Sequence, residues 1–138
     1  VMGVFGVVLG LCAGKLGSAG RERPMLVVGI LAVGAGFAGV AAAQSLGGLI
    51  GGVALVGGGG AVMDVALFSL RQRVTEPAWF GRAFAVSMHL NYSGIPVGSA
   101  LSGPLLAISA SFALTVAVAF ALAAAGLTWA MVPSTERR

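Results

Sequence analysis

The chain has 138 residues, of which 58% are hydrophobic and only 9% charged, with a mean hydropathy of +1.02; soluble domains carry roughly 25% charged residues. Its formal net charge of +4 comes from few basic residues without interleaved aromatics, which argues against a nucleic-acid surface. One Cys, one His and four carboxylates exclude an intrachain disulfide, a Cys-only metal site and any credible catalytic set.

The chain opens VMGVFGVVLGLCAG, an apolar run of 14 residues, or ~21 Å at 1.5 Å per residue, short of the ~30 Å hydrocarbon core of a bilayer. No basic segment precedes it, so it does not read as a signal peptide. Residues 1–14 therefore read as a truncated transmembrane helix, and a missing N-terminal portion is expected. Cys12 inside this run reads as packing. Four longer apolar segments follow, at 25–46, 48–70, 83–107 and 109–132, near the 17–25 residues that span a membrane. Runs of this length do not suit the ~10-residue alternating strands of a membrane barrel. The fold class is thus an all-α polytopic membrane protein, a bundle of about five transmembrane helices.

The connections alternate in character. GKLGSAGRERP and RQRVTEPAWFGR are basic, the tail PSTERR is charged, and the turns around SLGG and LAIS carry no charge. All eight basic residues (Lys15, Arg21, Arg23, Arg71, Arg73, Arg82, Arg137 and Arg138) fall in the two long connections and the tail. An alternating five-helix path places these on one side, and the positive-inside rule makes that side cytoplasmic, the C-terminus with it. Trp79 and Trp129 lie near the same boundary, as interfacial aromatics do. Pro24 is placed to start a helix.

The 23 glycines suit close helix packing in lipid. Gly6, Gly10 and Gly14 form one stripe of small residues, Ala35, Gly39 and Ala43 a second, and Gly94, Gly98 and Ser102 a third. The GGGG at 57–60 marks a flexible or tightly crossed segment, since each glycine costs up to ~1 kcal/mol against alanine in a helix. It is not a phosphate loop, because no Lys-Ser/Thr follows. Pro96 and Pro104 free backbone carbonyls in the fourth full segment and favour kinks.

Two stretches resemble the major facilitator superfamily of secondary transporters, in the C-terminal half of a drug-efflux-like member. GKLGSAGRER (14–23) is similar to that superfamily's cytoplasmic loop pattern Gly-x-Leu-x-Asp-Arg-x-Gly-Arg-Arg. Gly14, Leu16, Gly20 and Arg21 match if one residue is deleted, whereas Ser18 replaces the Asp and the first Arg is absent. In DVALFSLRQRVTEPAWFGRAFAVSMHLNYSGIPVGSALSGPL, the residues Gln72, Arg73, Pro77, Gly81, Arg82, Pro96 and Gly98 stand at positions that recur in efflux members. The resemblance implies residues 1–138 as a partial C-terminal domain, helices eight to twelve of a twelve-helix fold that works by alternating access. It also implies a small-molecule substrate, an N-terminal half as partner, a cell (inner) membrane location, and Gly14, Arg21, Arg73, Gly81 and Arg82 as cytoplasmic gate residues. No cofactor, metal or enzymatic activity is expected. A non-transporting membrane anchor or assembly subunit is the alternative.

Asp64 lies seven residues before Arg71 and His89 seven after Arg82, so both sit ~10 Å inside the same boundary by helix rise. An ionised Asp at a helix centre costs ~2.5–3.5 kcal/mol and requires a cavity, a partner or a proton. Two readings follow: a protonation site with His89 as partner for proton-coupled antiport, or a bond from Asp64 to a loop or helix end beside Arg21 or Arg71 that fixes the cytoplasmic gate. His89, Tyr92, Ser93 and Pro96 share a face at spacings of three and four, with Asn91 beside them. That face is expected to look into a cavity or a neighbouring helix.

Overall fold

A computed structural model describes residues 2–17 and 20–132, with Leu16 described in its backbone alone. It contains five helices: α1 (Met2–Leu16), α2 (Glu22–Ala42), α3 (Leu46–Val74), α4 (Phe80–Ile108) and α5 (Ala110–Met131), with a short 3-10 turn at Pro77–Trp79 before α4. No strand occurs among the described residues. The all-α membrane bundle expected from the apolar runs is therefore the architecture found. Ser18, Ala19 and the tail 133–138, including Arg137 and Arg138, lie outside the described residues.

Local chemistry explains the ends. Two uncharged turns are serine caps: Ser45 Oγ accepts from the Gly48 N–H at 3.3 Å, and Ser109 Oγ accepts from the Phe112 N–H at 3.0 Å. Each supplies an acceptor to a first-turn donor that has no partner inside its helix. Helix α2 begins at Glu22, three residues before the expected start, because a carboxylate is favoured in a first turn and the missing N–H of Pro24 still falls among the unpaired donors there. Helix α3 runs on to Val74, so its 29 residues extend ~43 Å by helix rise and carry Arg71 and Arg73 beyond the apolar zone.

By length and composition α2, α3 and α5 can cross a membrane, and α1 is a shorter apolar helix. Helix α4 has the length, 29 residues, but His89, Asn91, Tyr92 and its serines keep it less apolar than the other three long helices. Large apolar side chains stand exposed on every helix, from Val4 and Leu11 to Leu90, Phe120 and Leu127. Lipid and further helices, rather than water, are the natural cover for such a surface.

Helix α3 is the centre of the bundle: α1 and α2 both pack against it, α2 packs in turn on α5, and α4 leans chiefly on α5. Glycine makes the centre possible. A Cβ on Gly29 would lie 2.8 Å from the Gly59 carbonyl oxygen, and one on Gly36 would lie 2.7 Å from that of Gly52. The reverse distances, from Gly59 to the Gly29 oxygen and from Gly52 to the Gly36 oxygen, are 2.7 and 2.9 Å. Two backbone-to-backbone contacts, two turns apart on both antiparallel helices, thus lock α2 on α3. Gly57 and Gly58 meet Met2 and Leu9 of α1 instead, so the GGGG run lets α3 be approached closely from two sides at once. It is a tight crossing.

The three small-residue stripes fare differently. Gly6 and Gly10 face α3, where an added Cβ would lie 3.4 Å from the Gly57 carbonyl oxygen and 3.5 Å from Ala61 Cβ respectively, while one on Gly14 would meet nothing within 4 Å. The Ala35–Gly39–Ala43 stripe is found in part: a Cβ on Gly39 would lie 3.6 Å from Gly52 Cα and one on Gly48 would lie 3.4 Å from Ala43 Cβ, whereas Ala35 is exposed and the tightest contacts of α2 are those of Gly29 and Gly36. A Cβ on Gly94 or Gly98 would meet nothing within 4 Å, in keeping with α4 having no buried residue at all.

Candidate functional site

Charged and aromatic side chains gather where α2 and α4 begin and α3 and α5 end. Arg73 Nη1 donates to Glu22 Oε1 at 2.5 Å, and the Glu22 side chain is 1% exposed. Removing one partner of a buried ion pair costs about 3–5 kcal/mol because the other charge is left uncompensated; the part-exposed Arg73 places this pair toward the lower end. Arg23 stacks over the Trp129 ring, its Cζ 4.1 Å from the centroid, and donates to the Trp129 carbonyl. Two contacts therefore tie the start of α2 to the ends of α3 and α5.

Helices α3 and α4 meet at the same end. The rings of Phe68 and Phe84 lie 5.6 Å apart, as do those of Phe80 and Phe84. Arg71 caps this cluster, 5.8 Å from the Phe68 ring and 5.9 Å from that of Phe84, with Nη1 3.2 Å from Met88 Sδ. Arg82 lies 5.4 Å from the Trp79 ring. Cation–π contacts of this kind hold a guanidinium without a carboxylate. The clustering of described basic residues at one end of the bundle is thus present in three dimensions, with both tryptophans among them.

The acidic residue anchored here was not singled out in the sequence. Asp64 makes no ion pair among the described residues; Glu22, in the loop stretch that resembles the superfamily pattern, makes it instead with Arg73. The signal was available, since Glu22 is a carboxylate at a helix start, flanked by Arg21 and Arg23. Its partner is 51 residues away, and no spacing rule reaches that far.

Asp64 is exposed on α3, one turn deeper than Phe68 on the same face. One turn along each helix from the Phe68–Phe84 contact brings Asp64 level with Met88, next to His89. The two titratable groups share a depth but form no ion pair with each other. His89 is exposed, and its Nδ1 lies 2.9 Å from the Ala85 carbonyl; a hydrogen on Nδ1 leaves Nε2 as the acceptor of the neutral ring. Ser93 Oγ donates to the Leu90 carbonyl at 2.7 Å, Tyr92 is 57% exposed, and Pro96 cannot donate to the Tyr92 carbonyl. Helix α4 accordingly presents hydroxyls, an imidazole and a free carbonyl that no other helix here covers.

Of the residues expected at the loop gate, Gly14, Arg73, Gly81 and Arg82 fall instead in the end turns of α1, α3 and α4; Arg73 is engaged with Glu22 and Arg82 with Trp79, and a Cβ on Gly81 or Gly14 would meet nothing within 4 Å. Arg21 precedes α2 and is exposed. No group of three or more potential metal ligands occurs among the described residues.

An uncharacterized MFS-type transporter, y4rN, of Sinorhizobium fredii is 35% identical to this chain over 116 residues, 83% of the chain and 29% of that protein. The chain belongs to the major facilitator superfamily. Multidrug resistance protein MdtH of Aeromonas hydrophila is 37% identical over 98 residues, 71% of the chain and 25% of that protein, and MdtH of Aeromonas salmonicida matches to the same extent. The facilitator chain thus spans less than a third of the length of these relatives. No family model and no solved structure matches it.

Proposed function

We propose that this chain is the C-terminal part of the transmembrane domain of a small-molecule exporter, working by proton-coupled alternating access in the cell membrane. The similarity to two proteins named for multidrug resistance, over 71% of the chain, carries the reading. The geometry is in keeping with it. In a bundle otherwise clad in apolar side chains, Asp64, His89, Tyr92 and Ser93 stand exposed, and polar groups at membrane depth belong against a cavity or protein rather than lipid. Their cover would be the N-terminal half of the transporter, with the substrate between the halves. Gly14, Arg21, Arg73, Gly81 and Arg82 would form part of the gate on the basic side.

The full-length transporter, expressed in a bacterial strain lacking its own efflux pumps, is expected to lower accumulation of a fluorescent lipophilic cation such as ethidium by several-fold. A protonophore should restore accumulation. Unchanged ethidium levels across a panel of such cations would instead favour an anchoring or assembly role.

The basic connections and the C-terminus are assigned to the cytoplasm on the positive-inside rule. With Cys12 first replaced by Ala, a Ser134→Cys variant is expected to resist a membrane-impermeant maleimide in intact cells and to react after permeabilisation. Ready labelling from outside would reverse the orientation.

A further inference from the structure

We propose that the crevice between α1 and α2 is a binding site for an anionic phospholipid, with an acyl chain in the crevice and the headgroup phosphate on Arg21. Both helices pack on α3 but not closely on each other, and what remains between them is a cavity of about 280 Å³. Cys12 and Ala13 of α1 form one wall, Met25 and Val28 of α2 the other, and Val62 of α3 the floor. In a bilayer such an apolar space does not stay empty, because its lining would forfeit dispersion contacts that a lipid tail supplies.

Arg21 gives the crevice its charge. It lines the same cavity, and the turn that returns the chain there relies on two glycines in the left-handed region, Gly17 at φ 71° and Gly20 at φ 82°. Arg73 holds Glu22, Arg23 and Arg82 lie on tryptophans, and Arg71 on phenylalanines. The Arg21 guanidinium alone among these has no such partner among the described residues, and it is exposed beside an apolar slot. A guanidinium matches a phosphate bidentately, and basic pockets between transmembrane helices at the membrane surface select anionic headgroups.

Cys12, the chain's single cysteine, is exposed and lines the crevice, so its reaction rate with N-ethylmaleimide reports occupancy. The full-length transporter, with any cysteine outside these residues replaced by alanine, is expected in nanodiscs of phosphatidylcholine with phosphatidylglycerol to react at Cys12 several-fold more slowly than in phosphatidylcholine alone, and inorganic phosphate added to the latter should have no effect. Arg21→Gln should abolish the difference, Arg21→Lys should retain only part of it because an ammonium lacks the paired donors, and Arg82→Gln should leave it intact. Native mass spectrometry should show bound phosphatidylglycerol in the wild type and its loss in Arg21→Gln. Equal rates in the two lipids, protection that survives Arg21→Gln, or a Cys12 unreactive under every condition would overturn the proposal, the last by showing that protein covers the crevice.

Discussion

Replacing Gly59 by valine is expected to abolish the native α2–α3 packing, while Gly60→Ala, one residue along the same glycine run, is expected to be neutral or stabilising. A Cβ at position 59 would lie 2.7 Å from the Gly29 carbonyl oxygen, 2.9 Å from Ala32 Cβ and 3.0 Å from the Val33 nitrogen. Two of these three are backbone atoms, so relief requires the helices to separate. Separation would also loosen the second contact at Gly36 and Gly52, because both belong to one rigid crossing. Overpacking a well-packed interior costs about 1–3 kcal/mol and occasionally more, and a branched side chain against backbone belongs at the upper end. A Cβ at position 60 would meet nothing within 4 Å, so alanine there recovers helix propensity of up to ~1 kcal/mol. Thermal unfolding in mild detergent, followed by circular dichroism, separates the two. A Gly59→Val protein melting like the wild type would show that α2 and α3 do not cross as closely as described.

That contrast also marks what could be read from the residues. Apolar run length sets a lower bound on each helix, and loop charge sets their alternation, so five helices and one basic end were legible. The pairing of glycines was not. The stripe at Ala35, Gly39 and Ala43 has the spacing of a packing face, but the tightest contacts fall at Gly29 and Gly36, with Gly39 and Ala43 less close and Ala35 exposed, and only the partner helix decides which small residues are used. Equally, GGGG announced either looseness or proximity, and which one it serves depends on α1 and α2 arriving from different sides. Glu22 and Arg73 illustrate a further limit, since a pair formed by the ends of two helices has no local signature. The shared face of His89, Tyr92, Ser93 and Pro96 follows from spacing along a single helix, but what covers it does not, and here all four stand exposed on a helix without a buried residue.

Asp64→Asn is expected to leave the full-length transporter folded and to reduce pH-gradient-driven flux on the order of tenfold or more, if this carboxylate is the protonation site that exchanges with substrate. Asparagine keeps the size and the hydrogen-bonding capacity of the side chain and removes only its titration. The structure makes folding of the variant a fair expectation, because Asp64 is exposed and forms no ion pair among the described residues, so no buried partner is orphaned by the change. His89→Gln should have a milder effect, shifting the pH profile of flux. His89 shares the depth of Asp64 without bonding to it, and its Nδ1 is already engaged with the Ala85 carbonyl. It can therefore tune a neighbouring charge, or relay a proton through Nε2, without carrying the coupling. The measurement is substrate flux into proteoliposomes under an imposed pH gradient, with each variant reconstituted in equal amounts and substrate binding measured alongside. Binding that persists while gradient-driven flux collapses assigns the coupling step to Asp64. Wild-type flux and pH dependence in Asp64→Asn would remove Asp64 from the coupling mechanism, and failure of that variant to insert would mean that the charge holds the fold through helices outside this chain.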